Sequence, residues 1–232
     1  MIALILSAML GAPPAGADIS NRCADALAEL ARAGTVEASA SGNTVILAGK
    51  PLRLNARVEE ERQAGSQWLV GIAVQVAAPG NASALAEGAV GIGATRADAV
   101  DTAIVEWAEL AGAAFIRAIA VRERSKEVFS VGGVGVYPGF AEVRGSPGLS
   151  WSLANNKQLV ALMAPGLAGL SRGRLHGLSV SILVDEKGTV RGECRVDGAA
   201  SSAALASALR YPWPKSTGAY VFKQYYVLQP GR

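Results

Sequence analysis

The sequence predicts an α+β fold, antiparallel sheet hairpins with segregated helices. Three observations carry that expectation. Leu52, Leu54, Ala56 and Val58 alternate with Arg53, Asn55, Arg57 and Glu59, so one face of a strand is apolar and the other polar. Leu178, Val180, Ile182 and Val184 repeat the pattern before a turn, and Val190 to Val196 returns. Helical stripes stand apart from these hairpins, which argues against a doubly wound parallel sheet.

Taken in order, Ile2 to Ala12 is a short uncharged apolar run, followed by Pro13-Pro14 and Ala15-Gly16-Ala17. A small-x-small triplet after an apolar core is the pattern signal peptidase reads, so residues 1–17 are expected to be a cleaved export signal. The other reading is a buried N-terminal helix or strand. The run is shorter than the roughly 20 apolar residues of a membrane-spanning helix, and no later stretch reaches that length. The product would be periplasmic or secreted, with no stable membrane span after cleavage. Residues 18–232 are expected to form a single α+β domain.

Cys23, Leu27, Leu30 and Ala31 recur at helical spacing between Asn21 and Ala33, with Gly34 as the stop. After the strand at Leu52, the Gly65-Ser66 turn leads to Trp68, Val70, Ile72, Val74 and Val76, completing a hairpin. A third strand is expected from about Ala84 to Ile92. Thr95-Arg96-Ala97-Asp98 has the form of a capping box. Beyond it, Val100, Ile104, Trp107, Ala108, Ala111 and Phe115 form a broad apolar stripe. Residues 128–150 are rich in Gly and Pro, read as short strands near Val134 to Tyr137 and Phe140 to Val143, and hold the expected seam between two halves. A short helix follows from Asn155 to Met163, then the second hairpin, turning at Asp185-Glu186-Lys187-Gly188. A small helix from Ser201 to Leu209 stops before Pro212, and Tyr220 to Leu228 is a final aromatic strand. Each half thus holds a hairpin and a helix, a faint hint of two similar halves.

Composition bounds the function. Half the residues are hydrophobic and 18% are charged, which argues against disorder. The net charge of +3 is spread among acids, so no nucleic-acid footprint is expected. The densest basic cluster, Arg117, Arg122, Arg124 and Lys126, reads as a solvated connector. Cys23 and Cys194 are too few for a zinc site. In an oxidising compartment they are candidates for a disulfide, and two buried thiols are the equal alternative.

Candidate chemistry is sparse. Gly91-Ile92-Gly93 before a helix would suit a phosphate. It lacks the third glycine of a dinucleotide site and the Gly-Lys-Ser/Thr of a phosphate-binding loop, so a strand running into a capped helix is the better reading. His176 is the sole histidine, which excludes a multi-histidine metal site, and its place at the start of a strand suits an edge residue. No serine stands in a GxSxG or S-x-x-K setting. Carboxylates at Glu59 to Glu61, Asp98 with Asp101, Glu106 with Glu109, and Asp185-Glu186 fit turn, cap and surface roles. No catalytic, cofactor or metal residue is therefore assigned. Aromatics gather near the C-terminus, where Tyr220, Phe222 and Tyr226 share the core face of the last strand. Tyr225 on the other face and Trp213 between prolines are the candidate ligand contacts.

Gly91-Ile92-Gly93 leading into a helix with Ala99 and Trp107, then Arg144-Gly145, Trp151, Glu193-Cys194-Arg195-Val196-Asp197 and Trp213-Pro214, resembles the bacterial domain-of-unknown-function family 6348. That family has no assigned activity, so the resemblance carries over no functional residue. The expectation is an exported, non-enzymatic domain that binds a protein or envelope ligand. The alternatives are an envelope hydrolase and a chaperone-like or immunity-like partner of another exported protein.

Overall fold

The computed structural model of the chain describes residues 19–78, 85–120, 128–146 and 148–231, with the side chains of 85–87 left aside. Residues 1–17, read as an export signal, lie outside the described residues, as do Arg122, Arg124 and Lys126 of the basic cluster. The fold is α+β, built, among the described residues, on two antiparallel sheets of five and seven strands. Its contacts divide it into two compact units, Met1–Ala120 and Val121–Arg232.

In the first unit, helix α1 (Ile19–Ala33) buries Cys23, Leu27, Leu30 and Ala31, the stripe its sequence shows. Strands β1 (Ala38–Ser41) and β2 (Thr44–Leu47) form a hairpin absent from the expectation. Its first strand is Ala-Ser-Ala-Ser, so a period of two carries almost no hydrophobic contrast there. Strands β3 (Lys50–Ala64) and β4 (Gln67–Ala77) are the expected hairpin, with a bulge between Val58 and Glu60. Leu52, Leu54, Val70, Ile72, Val74 and Val76 line its inner face. Strand β5 (Leu85–Gly93) pairs with β4 and ends the sheet, whose order is β1-β2-β3-β4-β5.

Helix α2 (Arg96–Trp107) starts from the expected capping box. The Thr95 hydroxyl accepts from Asp98 N at 3.1 Å, and an Asp98 carboxylate oxygen accepts from Thr95 N at 3.0 Å. The helical stripe continues through a π-helical turn at Ala108–Gly112 into α3 (Ala113–Ala120), and all six of its expected residues are buried. Both long helices cover one face of the sheet, α1 on β1 to β3 and α2 on β4 and β5. An Arg22–Asp101 ion pair ties α1 to α2.

In the second unit, the Gly- and Pro-rich stretch 128–150 supplies β6 (Phe129–Val131), β7 (Val134–Pro138) and β8 (Glu142–Arg144), while the division of the chain falls at Ala120. The second hairpin is β9 (His176–Val184) and β10 (Val190–Val196), extended by β11 (Ala199–Ala200). The last strand, β12 (Tyr220–Pro230), lies between β9 and β7 and also pairs with β8. Helices α4 (Leu153–Met163) and α5 (Ser202–Ala208) pack with this sheet. Helix α4 begins two residues before the expected start because Ser152 and Asn155 form a capping box of their own. Its core joins Leu159, Val160, Met163, Ile182, Cys194, Phe222 and Tyr226.

Candidate functional site

The Gly91-Ile92-Gly93 segment is a contact between backbones. A Cβ on Gly91 would stand 1.9 Å from the Ala99 carbonyl oxygen and 2.3 Å from the Ala103 nitrogen. One on Gly93 would stand 2.5 Å from the Ala99 nitrogen. These glycines let α2 rest directly on β5, and the helix N-terminus already receives its own Asp98 carboxylate. The strand running into a capped helix accounts for the motif.

His176 is no edge residue. It opens β9, which is paired on both sides, and its side chain is 1% exposed. Its Nδ1 lies 2.8 Å from Asp197 Oδ2 and its Nε2 lies 3.0 Å from the Ser171 carbonyl oxygen. The Arg174 guanidinium donates to the same Asp197 oxygen at 3.0 Å and lies 3.2 and 3.3 Å from the two imidazole nitrogens. The other Asp197 oxygen accepts from Gly177 N at 2.9 Å. Asp197 reaches these groups from a left-handed backbone, φ +50°, in the Asp-Gly turn that joins β10 to β11. An Asp-Gly pair between Val196 and Ala199 is a hairpin signal that could have found this residue. As chemistry, the cluster orients an imidazole but encloses it, and Ser171 offers it a carbonyl in place of a nucleophilic hydroxyl. As architecture, it fastens the start of β9 to the β10–β11 turn.

The other candidates divide between core and surface. Neither cysteine is disulfide-bonded, which corrects the bridge considered for Cys23 and Cys194. Each lies inside the core of its own unit, at 0% and 1% exposure, so each is enclosed by its own neighbours. Burial pushes the Cys194 thiol up to about 12, with Glu193 adding to the rise. Trp213 is 8% exposed, donates its indole N–H to the Ala208 carbonyl at 3.0 Å and stacks on Trp151 at 5.6 Å. Tyr225 lies on the face opposite Tyr226, as alternation requires, yet is 2% exposed. Its hydroxyl occupies the space where a Gly177 Cβ would stand, 2.2 Å away. Both expected ligand contacts are thus packing residues here. Glu109, on the π-helical turn, has its carboxyl raised by burial and then by Glu106. Among the described residues no group of three or more His, Cys, Asp or Glu side chains could hold a metal ion. No helix among them is long and apolar enough to cross a membrane.

A hollow beside β6 and α4, lined by Val131, Val134, Val160 and Leu167, holds about 90 Å³. That is well below the roughly 300 Å³ at which small-molecule sites begin. The outer face of the five-stranded sheet is more distinctive. Val90 and Ile92, on β5, are each 44% exposed. They face outward because Ala89 and Gly91 turn toward α2, and Ile92 lies opposite half-buried Leu69 on β4. Val90 lies opposite Gly71, which leaves the aliphatic surface open across the strand. Sequence reading missed this site because Gly-Ala-Val-Gly-Ile-Gly is apolar on both faces and alternation cannot say which side is covered.

The chain matches the family of unknown function DUF6348 over residues 40–230, and it belongs to that family. No curated protein matches the chain, and no solved structure does.

Proposed function

We propose that this DUF6348 member is an exported, non-enzymatic domain that binds a protein through the outer face of its five-stranded sheet. The observation that carries this reading is the pair Val90 and Ile92, two β-branched side chains at 44% exposure side by side with Leu69 on one ordered face. Contiguous exposed aliphatic surface on a strand is costly in water and is characteristic of surfaces that meet a partner. The enclosure of His176 supports binding over hydrolysis, since a general base must reach a substrate proton.

Pull-down from envelope extract with residues 18–232 tests the binding. Wild type should retain a specific partner that the Val90→Lys, Ile92→Lys double variant, with an unchanged circular dichroism spectrum, releases. Recovery of no specific partner by the wild type would count against the reading. Export rests on the apolar run Ile2 to Ala12 and the Ala15-Gly16-Ala17 triplet. Fractionation with N-terminal sequencing should find a mature chain starting near Asp18 outside the cytoplasm, and a cytoplasmic chain still beginning at Met1 would overturn it.

A further inference from the structure

Two neighbouring rows of the five-stranded sheet meet solvent on the face away from the helices. Strand pairing sets Glu60 of β3, Gly71 of β4 and Val90 of β5 side by side in one row, and Arg62, Leu69 and Ile92 in the next. Three observations fix the side on which they stand. Val70 and Ile72, which alternate with Leu69 and Gly71, are buried on the helix side. Glu61, between Glu60 and Arg62, turns to that same side and meets Arg96, the first residue of α2, at 2.7 Å. A Cβ on Gly71 would stand 3.7 Å from the Glu60 Cβ, so Glu60 shares the outer face of Gly71.

The two rows are opposite in kind. The first begins with a carboxylate and has a gap at Gly71, where a side chain would meet nothing closer than 3.7 Å. The second begins with a guanidinium and has the Leu69 side chain in the matching place. Both end on β5 in an aliphatic residue at 44% exposure. Glu60 and Arg62 are exposed, and neither joins an ion pair among the described residues. The adjoining charges are already matched, Arg57 with Glu59 and Glu61 with Arg96.

A half-turn about an axis in the plane of the sheet, perpendicular to its strands and midway between the rows, exchanges one row for the other. Two copies laid face to face by that rotation set Glu60 of one over Arg62 of the other. The same rotation sets Leu69 over the Gly71 gap and Val90 over Ile92, and every contact occurs twice. The strands of the two sheets stay aligned apart from the usual twist of about 30°. An isologous two-fold interface requires this self-complementarity. A patch of one charge would repel its own copy, whereas an acid and a base one row apart attract it.

We propose that the outer face of the five-stranded sheet pairs with the same face of a second copy of this chain, forming a two-fold dimer. This rests on the reading of that face as protein-binding and names its partner. Burial of Leu69, Val90 and Ile92 supplies the affinity, and the Glu60–Arg62 pairs set the register.

The test follows residues 18–232 by sedimentation velocity. Wild type should pass from monomer to dimer between about 1 µM and 1 mM, the range of a small interface. Glu60→Arg sets bases against bases and Arg62→Glu sets acids against acids, so either variant alone should dimerise at least about tenfold more weakly. Both positions are exposed, and the circular dichroism spectra should match wild type. Mixed in equal amounts, the two variants should recover an affinity within about threefold of wild type, because every acid of one then faces a base of the other. A wild type that stays monomeric, a dimer indifferent to the charge reversals, or a mixture no tighter than the single variants would overturn the proposal. A monomeric wild type that captures a different envelope protein, released by the Val90→Lys, Ile92→Lys double variant, would overturn self-pairing and leave the binding face intact. A monomer that retains no partner fails both readings.

Discussion

Asp197 satisfies three groups at once, the His176 ring, the Arg174 guanidinium and Gly177 N, from a backbone conformation most residues avoid. Replacing it with Ala leaves a buried imidazole and a backbone donor without their acceptor. Asp197→Ala is expected to lower stability by roughly 3 kcal/mol in urea denaturation, given the cost of unmade charge-assisted hydrogen bonds. Asp197→Asn should cost less, since Asn tolerates the left-handed region and keeps an acceptor for Gly177 N. An equal loss in both would show that the side chain's acceptor role is unimportant. Asp185, in the β9–β10 turn, gives a pH-dependent effect. Its carboxylate accepts from Thr189 N at 2.7 Å and Lys187 N at 3.0 Å, and the Thr189 bond chiefly holds its pKa below the ordinary 3.8. A carboxyl lowered on folding contributes stability above its unfolded value, and that contribution disappears as pH falls through the folded value. Wild type should therefore lose stability relative to Asp185→Asn only below about pH 4, measured as the difference in their urea midpoints. A difference constant from pH 3 to pH 7 would refute the assignment.

At the scale of elements, the contact between β5 and α2 shows how a motif that suggests ligand chemistry can be spent on packing. Gly91 leaves no room for a side chain, because backbone atoms of α2, which cannot rotate away, occupy the space. Gly91→Ala is expected to destabilise the fold by about 3 kcal/mol, at the upper end for overpacking, while Gly65→Ala, with nothing within 4 Å but a φ of +62°, should cost only about 1 kcal/mol. Thermal denaturation of both variants checks the ranking, and equal melting temperatures would contradict it. The capped helix, both long hairpins and the final strand were all legible from periodicity and caps. The β1–β2 hairpin was not, since alternating Ala and Ser give no apolar signal. The π-helical turn was equally invisible, because its residues continue the same apolar stripe as the helix on either side.

For the whole molecule, the division at Ala120 gives each half its own sheet and its own covering helices. Val121–Arg232 contains all seven strands of its sheet and a core built from its own residues. Expressed alone, that stretch is expected to give a sheet-rich circular dichroism spectrum and one cooperative thermal transition, and an unfolded product would show that it depends on the first unit. By itself, the sequence determined the α+β class, the antiparallel hairpins, the capping box at Thr95 and the family, because each rests on local periodicity, local hydrogen bonds or residue identity. It left the two cysteines open between bridge and buried thiol and placed His176 at an edge. Tertiary structure alone decided that both cysteines are unbridged, that Trp213 and Tyr225 are enclosed, that Asp197 and Arg174 converge on His176, and that Val90 and Ile92 stay uncovered. Those outcomes depend on which segments, distant in sequence, come to cover a given face, and no local pattern encodes that.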